Sequence, residues 1–297
     1  MNPKEQGFLL LTGILGDPDR KPLSVAQLRT LAKRIRSMNP PKTRRHLQCQ
    51  DLIALGYAPE EAERILQLMS HSDRLQRYVR QAAAADCYPI TRVSEAYPQT
   101  VRRRLGLDAP ACLWAKGDAA VLRKPAVALV GSRNLLPGNQ RFAYEVGRQA
   151  ALQGIVLVSG NARGADRTAQ DACLEHGGRV ISVVADELAR CPLQRNVLYL
   201  SENGWDMAFS AQRALSRNRV IQTLGYITLV AQSDLGTGGT WDGTAKNLHN
   251  HWSPVFCYDD GSQSVRELMQ MGAVLIRTNQ LENYSALQPN IMNFIDQ

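Results

Sequence analysis

The sequence predicts an α/β fold, a parallel sheet covered by helices on both faces and preceded by a small all-helical domain. Three observations lead there. From about residue 85, short apolar runs alternate with helix-length segments, the pattern of strands joined by crossover helices. Two of those runs, "VALVGSRN" (127–134) and "IVLVSGNARGAD" (155–166), stop abruptly at Gly-Ser-Arg and Ser-Gly-Asn-Ala-Arg-Gly, as buried strands do when they deliver a loop to the carboxyl edge of a sheet. The first third of the chain, by contrast, reads as helices.

Within residues 1–84, the apolar stretch of "MNPKEQGFLLLTGILGDPD" follows acidic Glu5 and has no small-residue cleavage site after it, so it reads as a core helix and not as a leader. Ser24 can cap "SVAQLRTLAKRIRS", which puts Leu28, Leu31, Ala32 and Ile35 on one face. "HLQCQDLIALG" stops at Gly56. "APEEAERILQLM" starts on Pro59, with Glu60 and Glu61 at the positive end of the helix dipole. Short helices of this kind resemble the helix-hairpin-helix or SAM-like modules that sit on DNA. In residues 85–297 the expected strands are "CYPITRV", "ACLWAKGD", "AVALVG", "IVLVSG", "RVISVVA", "YITLVAQ" and "SPVFCYDD". The expected helices are "GNQRFAYEVGRQAALQG", "ADRTAQDACLEHGG" and "SRNRVIQTLG".

Composition narrows the function classes. A chain of 297 residues with 44% hydrophobic content builds one large and one small domain with real cores. The net charge of +8 is uneven: residues 1–84 hold 14 Lys and Arg against 8 Asp and Glu, a pattern that suits an acidic partner such as nucleic acid. The six cysteines form no C-x-x-C or Cys/His spacing, which predicts buried thiols in a reducing compartment and no structural zinc. No apolar run approaches the roughly 18 residues of a membrane span, and a cytoplasmic location follows as the expectation.

The candidate chemistry lies at the strand ends. Glycine at 131 lets the backbone turn off its strand through a positive φ or a close approach, Ser132 adds a hydroxyl, and Arg133 adds a fork of donors matched to phosphate. In the second loop Gly160 and Gly164 allow tight passage and Arg163 supplies charge. Asp166 could cap the next helix or orient Arg163. Arg217 and Arg219 flank Asn218 at what reads as a solvated helix start. The glycine-rich turn "GTGGTWDGTAKNL" (236–248) offers Gly238, Gly239, Thr240, Thr244 and Lys246 as a further phosphate cradle, although it matches neither standard nucleotide fingerprint. No general acid/base pair, G-x-S-x-G elbow or H-E-x-x-H motif stands out, and the expectation is a binding protein without cofactor or metal.

Taken in order, "YPQTVRRRLGLDAPACLWAKGD", "AVALVGSR", "SGNARGAD", "GGRVISVVA", "SRNRVI", "GT…TA" and "ELMQMGAVLI" resemble the DprA/Smf family of DNA-processing proteins over residues 88–276. The resemblance implies an extended Rossmann-like domain, a homodimer, single-stranded DNA bound at the strand ends, and loading of a RecA-type recombinase. By position it assigns the DNA pocket to Gly131, Ser132, Arg133, Ser159, Gly160, Arg163, Gly164, Arg217, Asn218 and Arg219. Asn161, Ala165, Gln170, the "ALS" before Arg217 and the glycine-rich turn depart from the family's usual residues, and a divergent branch without the C-terminal winged-helix module is expected. Two alternatives stay open. One is a nucleotide-binding sensor or hydrolase of a related Rossmann-like family. The other is a DprA-like regulator or antitoxin that holds a toxin-like protein partner in a mobile-element or defence module.

Overall fold

In the computed structural model, which describes residues 1–37 and 46–287, five helices come first: α1 (Pro3–Thr12), α2 (Val25–Arg36), α3 (Cys49–Ala54), α4 (Pro59–Ser70) and α5 (Ser72–Ala84). Ser24 caps α2 as predicted, its hydroxyl accepting from the Gln27 N–H at 3.2 Å. The apolar face of α2 is narrower than expected, because Leu31 is buried while Ile35 is 40% exposed. α5 is an addition to the predicted set. Leu31, Leu52, Ile65 and Leu68 form a small core among α2, α3 and α4. α1 and α5 send Leu9, Leu75 and Tyr78 into the main core instead, where Tyr78 meets Trp114 edge-on at 5.3 Å.

The remainder alternates: β1 (Cys87–Thr91), α6 (Gln99–Leu105), β2 (Cys112–Lys116), β3 (Ala126–Val130), α7 (Pro137–Leu152), β4 (Val156–Ser159), α8 (Ala165–Glu175), β5 (Val180–Val183), β6 (Val197–Ser201), α9 (Ala211–Ser216), α10 (Asn218–Leu224), β7 (Thr228–Val230), α11 (Gly238–Asn250), β8 (Val255–Tyr258), α12 (Gln263–Gln270) and β9 (Val274–Ile276). Every predicted strand is present, and β6 and β9 are additional. The segment expected as one helix from Ser216 is split, with α9 ending there and Arg217 forming the joint to α10.

The strands form one sheet in the order β1-β2-β6-β5-β4-β3-β7-β8-β9. Pairing is parallel from β6 through β9, the Rossmann-like parallel sheet that the sequence predicts, and at its edge β2 runs antiparallel to both β6 and β1. The cause is the link 92–111: it leaves and re-enters the sheet at one end, and a returning link makes an antiparallel pair. Side chains alternate across β3. Val127 and Leu129 join Phe142 of α7 and Ala169 of α8 on one face, while Ala128 and Val130 join Val220 and Ile221 of α10 on the other.

From β3 the chain winds through β4, β5 and β6 to one side, then returns to lay β7 on the other side of β3. The strand order therefore reverses between β3 and β7, and the crevice outside the carboxyl ends at such a reversal is where open α/β sheets take ligands. α10 reaches that crevice with its N-terminus. Its other end is anchored by half-buried Arg104, which donates to the carbonyls of Thr223 at 3.0 Å, Gly225 and Tyr226. Burial pushes the Arg104 guanidinium down to about 10. Among the described residues no helix is long and apolar enough to cross a membrane.

Candidate functional site

A cavity of about 530 Å³ opens at the reversal, walled by Gly131, Ser132 and Arg133 after β3 and by Thr237, Gly238, Gly239 and Thr240 after β7. A second hollow, of about 410 Å³ and reaching Asn161 and Arg163 after β4, shares Arg133, Ala162, Phe209, Ala214 and Arg217 with the first. The two make one groove across the ends of β7, β3 and β4. A larger hollow of about 900 Å³ lies at the opposite end of the sheet, beside Gly117 and Asn196, away from the strand ends that carry the glycines and arginines.

Arg217 belongs to both walls and is only 7% exposed. It was expected at a solvated helix start, and the structure turns it inward. Gly160 makes the room: a Cβ there would lie 1.6 Å from Nη1 of Arg217. Asp166 supplies the charge, its Oδ2 standing 3.7 Å from Nη2. The Nε and Nη1 atoms of Arg217 are buried with no partner. Burial pushes the Asp166 carboxyl up, against the pull of Arg217 and of the Ala162 N–H that donates to it at 3.2 Å. Burial likewise pushes the Arg217 guanidinium down, against Asp166, and the charge of Arg133 pushes it further. Asp166, with Asp186 further off in the second hollow, thus faces the crowded cations Arg217 and Arg133, and two donors of Arg217 stay unpaired. An anion is what the arrangement lacks.

Asp166 has a different task from the two expected. It orients Arg217 and not Arg163, and Gly164 holds the N-cap position of α8. Gly164 has φ +88°, and a Cβ there would stand 2.5 and 2.6 Å from the carbonyl oxygens of Ser132 and Arg133. Glycine therefore lets the two strand-end loops touch. They are joined again where Arg163 donates to Oδ1 of Asn134 at 2.8 Å and the Asn134 N–H donates to Oγ of Ser132 at 3.2 Å. Gly131 does not have the positive φ allowed for it. Its role is close approach, since a Cβ would lie 2.5 Å from that of Ala165.

α11 starts at Gly238, so Gly238, Gly239 and Thr240 form its first turn at the cavity wall, where backbone N–H groups lack intrahelical acceptors. Nδ2 of Asn218 donates to the Gly239 carbonyl at 2.9 Å and joins the starts of α10 and α11.

Four expected site residues are placed elsewhere. The Ser159 hydroxyl is buried and accepts from Nε2 of Gln170 at 2.7 Å. Arg219, two residues after Arg217 on a helix, points away from the groove and pairs with Glu202 at 2.8 Å. Thr244 lies a turn deeper in α11 and is fully buried. Lys246 is exposed on the outer face and pairs with Asp242 at 2.8 Å. Sequence reading missed Phe209, which is 53% exposed on the wall shared by both hollows. Its one signal was an aromatic in an otherwise small and polar stretch, "MAFSAQ".

Residues 89–285, which span β1 to β9 and so include this groove, match the family described as DNA recombination-mediator protein A. The chain belongs to that family. Over 224 residues, 70% of this chain and 74% of the relative, it is 30% identical to DNA processing protein DprA of Streptococcus pneumoniae. It is 28% identical over 199 residues to protein Smf of Escherichia coli, spanning 52% of that protein's length. The solved structure of the Streptococcus pneumoniae DprA superposes over 95% of this chain and 97% of its own, with a TM-score of 0.71 at 23% identity, and so shares its fold. A structure of DNA processing protein A from Helicobacter pylori, concerned with that protein's single-stranded DNA binding mode, matches 71% of this chain and 94% of its own, with a TM-score of 0.54 and 25% identity.

Proposed function

We propose that the groove across β7, β3 and β4 holds single-stranded DNA, with Arg217 receiving a backbone phosphate, Arg133 and Arg163 framing it, and Phe209 stacking a base. The observation that carries this reading is a nearly buried guanidinium with two unpartnered nitrogens, set below a rim that bears an exposed aromatic. Unpaired strands bring both an anion and a free base face, and duplexes do not. The Helicobacter pylori relative, whose structure concerns single-stranded DNA binding, supports the same ligand here. A strand held this way is offered, by a dimer of such chains, to a RecA-type recombinase, which is the step that the family's description as a recombination mediator suggests. The groove is proposed to bind and not to cleave: Asp166 is engaged with Arg217, and the other carboxylates on its walls, Asp186 and Asp234, stand in different hollows, with no histidine among the described residues that line either.

The test is a titration of labelled oligothymidine, a duplex of equal length and a panel of mononucleotides, repeated at several salt concentrations. The single strand is expected to bind tightest. Phe209→Ala should weaken it by roughly 1–3 kcal/mol with little change in salt dependence, the cost of one stacked base. Arg133→Ala should weaken it and flatten the salt slope by about 0.7, as one phosphate contact is lost. Duplex binding as tight as the single strand, or mononucleotides that saturate the groove and displace the oligonucleotide, would refute the reading.

A further inference from the structure

The antiparallel strands turn a second basic surface toward the end of the sheet that carries the groove. β2 pairs Trp114 with Ser201 at the end of β6, and β1 pairs Thr91 with Cys112 at the start of β2. Arg92, directly after β1, and the turn Gly106–Asp108 before β2 therefore lie at the carboxyl end of the parallel strands. Arg92 donates to the Gly106 carbonyl at 2.6 Å and Arg102 to the Arg92 carbonyl at 2.5 Å. Arg219, leaving the groove on α10, donates to the Asp108 carbonyl of the same turn.

α2 packs against this turn from the helical region. It carries Arg29, Lys33, Arg34 and Arg36 and no carboxylate. Leu31 faces the small core, which leaves Arg29, Lys33 and Arg36, at spacings of four and seven, exposed along the outer face. Arg34 is spent on structure, lying over the Tyr57 ring at 4.4 Å. Among the described residues, Arg29, Lys33 and Arg36 make no ion pair. Burial lowers the Arg92 guanidinium, and the charges of Arg102 and Arg29 lower it further, with Tyr97 opposing. Cations from both parts of the chain are thus crowded together. A stripe of like charges with nothing between them costs the fold repulsion, which a polyanion laid along it would relieve.

We propose that this surface, Arg92 and Arg102 with the Arg29–Lys33–Arg36 face of α2, is a track for the sugar-phosphate backbone of the single strand after it leaves the groove. The inference rests on the groove being the single-strand site. The track begins at β1, four strand spacings from β4, or about 19 Å at ~4.8 Å per strand. Only an oligonucleotide long enough to cover that gap touches both surfaces.

Length therefore separates the two claims. The full chain carrying Arg29→Gln, Lys33→Gln and Arg36→Gln, all exposed positions, is titrated with oligothymidines of about 3 nucleotides, too short to cross the gap from the groove, and about 25 nucleotides, at several salt concentrations. The short oligonucleotide should bind as it does to the parent chain. The long one should bind several-fold more weakly, with a salt slope reduced by about 2, the share of three phosphate contacts on a single strand. Parent affinity and slope for the long oligonucleotide would overturn the track. Arg133→Ala in parallel should weaken both lengths, and its failure to do so would refute the groove instead. A triple variant that loses both lengths equally while its thermal unfolding is unchanged would also refute the track, since the two surfaces would then be one site.

Discussion

Arg217→Met is expected to weaken single-stranded DNA binding by about ten- to a hundredfold and also to destabilise the fold. The binding loss follows from removing a hydrogen bond between charged partners in a desolvated place, worth about 1.5–3 kcal/mol, where every 1.4 kcal/mol is a factor of ten. The destabilisation has a separate origin. Asp166 is 7% exposed and pairs with Arg217, so deleting the cation leaves a buried carboxylate uncompensated, typically a cost of about 3–5 kcal/mol. A second substitution separates the effects. In Arg217→Met/Asp166→Asn the stranded charge is gone, and thermal stability should recover most of what the single change lost. DNA binding should not recover, because Met offers a phosphate nothing. A double variant that regains both stability and affinity would mean that Arg217 only braces the loops. Gly160→Ala adds a third view: its Cβ would occupy the space of the guanidinium and push Arg217 out of its seat, so weaker binding is expected there with Arg217 still in the chain.

The sequence carried the strand ends clearly, because an apolar run that stops at glycine and arginine is a local signal. All seven predicted strands form, and Gly131, Ser132, Arg133, Arg163 and Gly164 meet where the loops after β3 and β4 touch. Direction was not legible. β1 and β2 have the same apolar texture as the parallel strands, and only the path of residues 92–111 makes them antiparallel. β6 was missed because "VLYLS" follows a polar loop with no α-helix between it and β5. The orientation of the Arg-Asn-Arg stretch was also hidden, since arginines two apart look alike in sequence. What sends Arg217 inward and Arg219 outward is the space above Gly160 and the charges of Asp166 and Glu202, all distant along the chain. For the glycine-rich turn the error was one of helical phase. Once α11 begins at Gly238, Thr244 falls on its buried side and Lys246 on its outer side, and only the first turn reaches the cavity.

Gly164→Ala should lower the melting temperature by about ten degrees. Its backbone sits at φ +88°, ψ −126°, a region nearly closed to residues with a side chain, which costs about 1–3 kcal/mol by itself. The added Cβ would also stand 2.5 Å from the Ser132 oxygen and 2.6 Å from the Arg133 oxygen. These are backbone atoms of the neighbouring strand-end loop and cannot swing aside as the tip of a side chain can, so relief requires the loop to shift, at a further cost of about 1–3 kcal/mol. The sum, roughly 2–6 kcal/mol, converts at 2–4 °C per kcal/mol for a chain approaching this size. Gly154→Ala is the matched control. Gly154, at the end of α7, also has positive φ, +68°, but a Cβ there would meet nothing within 4 Å, so only the backbone strain of about 1–2 kcal/mol remains. Comparable melting temperatures for the two variants would show that the loops after β3 and β4 are not pressed together at this point. If they are, the part of Gly164→Ala that stays folded should also bind single-stranded DNA more weakly than Gly154→Ala does. Moving the Ser132 and Arg133 backbone displaces Arg133 from the groove, whereas Gly154 lies at the far end of α7 and leaves the groove untouched.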